Sequence, residues 1–326
     1  MSESLPHIAI IGSGQLGSRY LQGLTKINQA IEISVVDPNP SSIKIAKDRY
    51  HEMPRNPLVQ SVNYLQTINA LLNDVDVAII ATTANVRREV IEDLIDKRAP
   101  KYMILEKVVF QDPNDFKPIK MMLYEKGVKT WVNFARRSYT FYQELKNNLG
   151  NNIINVKVRG QNWGLASNSI HMIDLIAFLS GEIEMSFNTE NLERHIYPTK
   201  RNGFMEIKGT MIVHTKRGDF LELTDSVSSK VNEVEITINT SQESYQINET
   251  RKKVLRRRGF TELESNIQVP FQSDSSGNLI HEILDSGESD LTPYNECMKY
   301  HIDMLEAFNE HFMKITGKKY SKCPIT

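Results

Sequence analysis

The chain has 326 residues, 40% of them hydrophobic and 24% charged, and its 39 lysines and arginines against 40 aspartates and glutamates leave a formal charge of -1. That apolar content excludes a disordered chain, and the even balance excludes nucleic acid or an anionic membrane as a partner drawn by the overall field. At roughly 150 residues per domain the length predicts two domains.

From residue 7, short unbroken apolar runs alternate with helical periodicity. HIAII (7–11) is followed by a helix over 15–26, EISVV (32–36) by a helix over 41–50, and a periodic segment over 64–72 leads into DVAIIAT (76–82). A helix over 86–97, YMILE (102–106), a helix over 113–126 and VKTWVN (128–133) complete the series. Unbroken apolar strands separated by amphipathic helices are what a parallel sheet covered on both faces requires, so residues 1–128 are expected to form a doubly wound α/β domain.

Residues 129–326 read differently. A helix over 139–149, NIINVKV (152–158) and an apolar helix over 168–180 precede strand signals: MEIKGTMIVHT (205–215), FLELTD (220–225), EVEITINT (233–240) and NIQVPF (266–271). A final amphipathic helix spans 294–314. This predicts an α+β domain with an open, mainly antiparallel sheet. RKKVLRRRG (251–259) carries six basic residues among eight, without interleaved aromatics, and reads as a solvated strand or hairpin.

Cys297 and Cys323 match no disulfide or metal-ligand spacing, so no metal is expected. The segment MSESLPHIAIIG lacks the pattern of a signal peptide and no apolar run reaches membrane-spanning length, so a cytoplasmic location without a membrane partner is expected.

Gly12, Gly14 and Gly17 form G-x-G-x-x-G between the first strand and its helix. Three glycines in that context allow a tight turn, close approach to a pyrophosphate and close helix packing, and the amides at the helix start face the anion. Asp37 follows the second strand, twenty residues beyond Gly17, where a carboxylate can accept from both ribose hydroxyls of NAD. A 2′-phosphate would be repelled there, so NAD is expected over NADP. The expected coenzyme contacts are Gly12, Ser13, Gly14, Gln15, Leu16, Gly17, Asp37, Thr82, Thr83, Arg87 and Glu106. Arg87 reads either as a residue at the adenosine end, as a contact for an acidic substrate, or as a solvent-facing side chain.

The sequence also resembles the Gfo/Idh/MocA oxidoreductases, NAD(P)-dependent sugar and polyol dehydrogenases. The resemblance rests on the glycine motif, on ATTANVRREV (81–90), on EKV (106–108) for the family's E-K-P, on NFARRSYTFYQELK (133–146), on SNSIHMID (167–174) for D-x-G-x-H-x-x-D, and on the CPIT ending. It implies Lys107 as a catalytic residue. A lysine past the carboxyl end of a parallel strand can donate to a reacting oxygen and stabilise alkoxide character. From the residues alone, Glu106 and Lys107 read equally as a surface pair at a strand end.

His171 and Asp174 interrupt an apolar helix at i, i+3, with Ser167 one turn before the histidine. The resemblance implies His171 as the second catalytic residue, relaying the hydroxyl proton; the alternative is a core histidine satisfied by a carboxylate. Expected substrate contacts are Lys107, Arg137, Trp163, Ser167, His171 and Asp174, with Arg136 beside them. Ser167 replaces the family's Asp, Arg87 its His and Thr83 its Pro.

The expectation is thus an NAD-dependent oxidoreductase transferring hydride between nicotinamide and a sugar, polyol or sugar derivative, including acidic or nucleotide-linked ones. The alternatives are a catalytically weak NAD(H)-binding regulator or scaffold, which Ser167 motivates, and a reductase of a non-sugar carbonyl or imine. The resemblance implies a homodimer or homotetramer, and the sheet face that the domain's own helices leave uncovered is the expected subunit contact.

Overall fold

The computed structural model describes residues 5–199, 203–228 and 233–326; the first four residues of the N-terminal segment read for a leader lie outside them. In chain order the elements are β1 (His7–Ile11), α1 (Gln15–Leu24), β2 (Ile31–Val36), α2 (Pro40–His51), β3 (Val59–Leu65), β4 (Val77–Ile80), α3 (Ala84–Arg98), β5 (Tyr102–Leu105), α4 (Phe116–Glu125) and β6 (Lys129–Val132). They continue with α5 (Thr140–Leu149), β7 (Asn155–Gln161), α6 (Leu165–Ser180), β8 (Met185–Asn188), β9 (Tyr197–Pro198), β10 (Met205–Glu206), β11 (Gly209–Thr215) and β12 (Phe220–Ser226). The last are β13 (Glu235–Asn239), β14 (Glu243–Asn248), β15 (Lys253–Arg258), β16 (Thr261–Asn266), α7 (Gln272–Ser286), β17 (Thr292–Pro293) and α8 (Tyr294–Thr316). Among the described residues no helix is long and apolar enough to cross a membrane.

The chain divides into two units. The first comprises residues 1–110, 114–133 and 270–294, the second residues 111–113, 134–269 and 295–326. The boundary therefore falls after Asn133 rather than at 128, because β6 pairs with β5. The first unit also takes back α7, in a region where the sequence suggested only strands. Helix α7 packs on α1 through small residues: a Cβ on Gly23 would stand 2.6 Å from the Ser276 Cβ, and one on Gly277 would stand 2.9 Å from the Gly23 oxygen.

The first unit's sheet has the order β17-β6-β5-β4-β1-β2-β3, parallel except for β17. Ile10 pairs with Val35 on one side and Ile79 on the other, and Ile8, Ile10, Ile79 and Ile104 are wholly inaccessible. Burying each such side chain is worth about 1.5–3 kcal/mol, and central strands with no solvent face explain why they read as unbroken apolar runs. The segment read as periodic over 64–72 holds only the end of strand β3, at Leu65, and the short 3₁₀ turn Ile68–Ala70. At the sheet edge the residues of β3 are half-buried or exposed, which blurred the pattern. Strand order reverses between β1 and β4, the switch point where open α/β sheets bind ligands beyond the strands' carboxyl ends.

The second unit's sheet runs β16-β15-β14-β13-β7-β12-β11-β8, antiparallel except for the β7–β12 pair. Val156, Val158, Leu221, Leu223, Ile236 and Ile238 point to the covered face, while Lys157, Glu222, Thr237 and Gln246 alternate onto the other. The expected strand over 205–215 is split into β10 and β11, and Gly209, which begins β11, has φ +102°. Of NIQVPF, only Asn266 belongs to a strand, as the last residue of β16. The basic run forms β15, hairpinned with β16, and its arginines pair with acids: Arg256 with Glu243 at 2.6 Å and Arg257 with Glu262 at 2.5 Å.

Candidate functional site

In the first unit, the turn from β1 into α1 gives each motif glycine a separate reason. Gly12 has φ +94°, and a Cβ there would stand 3.0 Å from both the Ala81 carbonyl carbon and the Thr82 nitrogen. A Cβ on Gly17 would overlap the Gly12 oxygen at 1.8 Å. Gly14 faces open space, with nothing within 4 Å of its Cβ position, and it begins α1 without a side-chain cap. A helix start leaves amides without intrahelical acceptors, and a cap lacking a side chain leaves them open to an anion.

Asp37, just past β2, is nearly buried, and its Oδ2 accepts the Ser13 N–H at 2.7 Å while Oδ1 accepts the Asn39 N–H at 2.8 Å. A carboxylate has roughly four lone-pair sites, so two remain for hydroxyl donors. Gly12, Gly14, Asp37, Thr82, Thr83 and Val86 line a cleft of about 500 Å³. Ser13 Oγ and Thr82 Oγ1 are buried without a hydrogen-bond partner among the described residues. Buried polar atoms normally have partners, so the open helix start, a carboxylate with spare acceptors and two orphan hydroxyls fit a dinucleotide. Gln15 and Leu16 are exposed on the first turn of α1.

Arg87 departs from every reading of the sequence. It is only 1% exposed, and its guanidinium donates to the carbonyls of Glu106 at 2.6 Å and Val109 at 2.9 Å, and to those of Val108 and Thr82. Burial lowers its pKa to about 10. An arginine occupied in this way is a strut for the loop after β5, neither a coenzyme contact at the adenosine end nor a substrate ligand. Glu106 is likewise turned inward: its Oε1 accepts the Tyr20 hydroxyl and the Asn133 amide, each at 2.8 Å. Burial, followed by the Glu106 charge, pushes the Tyr20 hydroxyl well above its ordinary pKa. Lys107 follows on the same loop, half-buried, with a cis peptide to Val108.

In the second unit, α6 starts beneath two carboxylates. Asp225 accepts the N–H groups of Trp163, Gly164 and Leu165 at 3.3, 3.0 and 3.3 Å. Glu206 accepts those of Ala166 at 2.9 Å and Ser167 at 3.0 Å, together with the Ser167 hydroxyl. Negative charge at a helix start is favourable. Burial nevertheless raises the Glu206 pKa, against the opposing hydrogen bonds from Ser167 and Ala166.

One turn further along α6, His171 lines a cavity of about 320 Å³ with Trp163, Asn168, Arg136, Glu233 and Glu249. Its ring meets Phe134 edge-on at 5.6 Å between centroids. Arg136 is bound by Glu249 through two hydrogen bonds, of 2.8 and 2.6 Å, and Tyr142 donates to the same carboxylate at 2.7 Å. Burial alone would raise the Glu249 pKa, but the Arg136 guanidinium and the Tyr142 hydroxyl hold it below the ordinary value. The cavity therefore offers an aromatic wall, an imidazole, an amide and an internally neutralised ion pair.

Arg137 and Asp174, expected to touch substrate, do not line this cavity. They form a buried pair: Arg137 Nε and Nη2 donate to Asp174 at 2.9–3.1 Å, Nη2 reaches Glu296 at 2.7 Å, and the Tyr300 hydroxyl donates to Asp174 at 2.6 Å. Asp174 is wholly inaccessible. The two arginines are neighbours in sequence, and the 3₁₀ turn Ala135–Ser138 sends one to the cavity and the other to the interior. Ser167 engages Glu206, which nothing in the sequence singled out: the two are 39 residues apart and Glu206 sits on a two-residue strand.

Residues 7–134 match the family described as oxidoreductase family, NAD-binding Rossmann fold. No curated protein matches the chain. Among solved structures, the chain is similar to an oxidoreductase from Agrobacterium radiobacter in complex with NAD+, L-tartaric acid and magnesium, at 16% identity and a TM-score of 0.74 over 97% of this chain and 98% of that one. It is similar to a UDP-N-acetylglucosamine 3-dehydrogenase from Acidithiobacillus ferrooxidans, at 12% identity and 0.68 over 93% and 97%. It is also similar to biliverdin reductase in complex with biliverdin and NADP+ from Synechocystis sp., at 13% identity and 0.69 over 96% and 99%. These likenesses support the fold and leave the substrate open. Residues 7–134 thus match the NAD-binding Rossmann portion of the Gfo/Idh/MocA oxidoreductases, in keeping with an NAD(P)-dependent dehydrogenase or reductase.

Proposed function

We propose that this oxidoreductase prefers NAD(H) to NADP(H) and acts on an uncharged sugar, polyol or sugar derivative. The observation that carries the substrate reading is the His171 cavity, where Trp163 offers a wall for an apolar sugar face and Arg136 is already neutralised by Glu249. With Arg137 also paired internally, no arginine lining this cavity among the described residues is left for a carboxylate or phosphate on the substrate, which disfavours the acidic and nucleotide-linked variants.

The open start of α1 at Gly14 and the amides from Gln15 to Gly17 would hold the pyrophosphate. Asp37 would hold the ribose diol and repel a 2′-phosphate, and Thr82 and Thr83 would complete the cleft. When bound, the nicotinamide supplies a carbon that accepts or returns hydride. Lys107 is assigned to donate from its ammonium to the substrate oxygen and stabilise alkoxide character. His171 is assigned to take the hydroxyl proton on a ring nitrogen during oxidation and return it during reduction.

The regulator reading rested on Ser167 lacking a carboxylate, and Glu206 at the Ser167 hydroxyl weakens that motive. We further propose a cytoplasmic homodimer or homotetramer assembled on the outward face of the second sheet; a monomer in sedimentation at micromolar concentration would reject that assembly.

The test is turnover of purified protein with NAD(H) or NADP(H) over a panel of neutral and acidic sugars. Neutral substrates with NAD(H) should be favoured, and Lys107→Ala and His171→Ala should each lose about 10²–10⁴-fold in kcat. Equal turnover in the variants and the parent would reject the catalytic assignment.

A further inference from the structure

We infer that Glu206 is a positioning residue for His171, fixing a negative charge one helical turn away through the Ser167 hydroxyl. The inference rests on the reading of His171 as the proton carrier.

Strand β10 delivers the Glu206 carboxylate to the first turn of α6. There Oε2 accepts from the Ala166 N–H, while Oε1 accepts from the Ser167 N–H and hydroxyl. Residues at i and i+4 stand about 5–6 Å apart at Cβ, on one helix face. Ser167 and His171 have that relation, so the carboxylate oxygen bound to Ser167 is held on the side of α6 that carries the imidazole.

Among the described residues, the other charged side chains lining the His171 cavity are paired. Arg136 and Glu249 neutralise each other at the cavity wall. Glu233 pairs with Arg251 at 2.6 Å. Asp174, on His171's own helix, is paired with Arg137 and accepts from Tyr300. Phe134 presents its ring to His171, and His301 on α8 packs against that ring at 5.9 Å. Glu206 differs: its hydrogen-bond partners in the structure are backbone amides and a hydroxyl, all uncharged. Among the described residues no cationic side chain is bonded to Glu206, and a buried carboxylate held one helical turn from an imidazole favours its imidazolium form. Burial also raises the Glu206 pKa, so its charge responds to pH.

The experiment is a proton NMR titration of His171, assigned by comparison with His171→Asn, in parent, Glu206→Gln, Ser167→Ala and the double variant Glu206→Gln with Ser167→Asp. His311, in the same unit, serves as the internal control. The His171 midpoint should fall by about one pH unit in Glu206→Gln, as expected for removal of a nearby opposite charge. It should fall less in Ser167→Ala and return in the double variant, while the His311 midpoint stays in place. An unchanged His171 midpoint in Glu206→Gln overturns the inference; should that variant not fold, the same result in Ser167→Ala does so. A fall that Ser167→Asp does not reverse also overturns it, since it would mark a loss of packing. The titration needs no substrate, so its failure is distinguishable from failure of the catalytic reading, which the turnover of His171→Ala decides.

Discussion

The Ser13 amide, inside the glycine turn, donates to the Asp37 carboxylate across 2.7 Å and so ties the end of β2 to the mouth of α1. Asp37 thereby serves the turn besides the role proposed for it at the coenzyme sugar. Replacing it with alanine should remove the diol acceptor and loosen the turn. Hydrogen bonds to a charged group are worth about 1.5–3 kcal/mol, so NADH affinity should fall roughly 10- to 100-fold. NADPH affinity should fall less, because the repulsion disappears with the carboxylate. Fluorescence titration with the two reduced coenzymes checks both expectations.

Two glycines of one motif should fail in different ways. Gly14→Ala has open space for its methyl group, so stability should change by less than about 1 kcal/mol while coenzyme binding weakens through obstruction of the helix start. Gly17→Ala forces a methyl group onto the Gly12 oxygen, so the turn must shift, at a cost of about 1–3 kcal/mol, and coenzyme binding should be lost with it. Thermal melts beside NADH titrations of the two variants separate these outcomes.

Arg87 should behave as a structural residue although the sequence offered it as a ligand contact. Arg87→Met keeps much of the volume but leaves four buried carbonyls without their donor. Unsatisfied buried groups cost about 1–3 kcal/mol each, offset by no longer burying a charge, so a net loss of about 2–4 kcal/mol is expected in urea unfolding. Arg87→Lys should recover only part of it, because an ammonium lacks the planar fork.

The Arg136–Glu249 pair should set an acid limit to stability. The Glu249 pKa is lowered in the folded state, so its contribution is present above the ordinary carboxylate value of 4.5 and is lost as pH falls through the lower, folded value. Glu249→Gln should therefore destabilise by about 3 kcal/mol at pH 7, leaving Arg136 buried without its partner. The gap between variant and parent should narrow steadily as pH falls below that range. Urea midpoints of both proteins at pH 7 and at acidic pH give the comparison.

What the sequence disclosed and what it withheld follow from the range of the interactions. The glycine turn, Asp37 and the apolar α6 were legible because local geometry dictates each of them. Strand β3 was obscured because an edge strand has no continuous buried face. Helix α7 was hidden by QSDSSGN, whose small polar residues read as a turn until Ser276 and Gly277 are seen packed on Gly23. The roles of Arg136 and Arg137 could not be told apart, since their partners Glu249 and Asp174 lie 113 and 37 residues away. Glu206 gave no sign at all, because only tertiary folding carries β10 to the head of α6.

The central claim is that the cleft between β1, β2 and β4 seats NAD(H), and calorimetric titration of the folded protein with NADH tests it most directly. One site per chain, with an affinity that falls in Gly14→Ala and Asp37→Ala, is the predicted result. A flat titration with both NADH and NAD+, on protein whose circular dichroism and melting transition show it folded, would contradict the account.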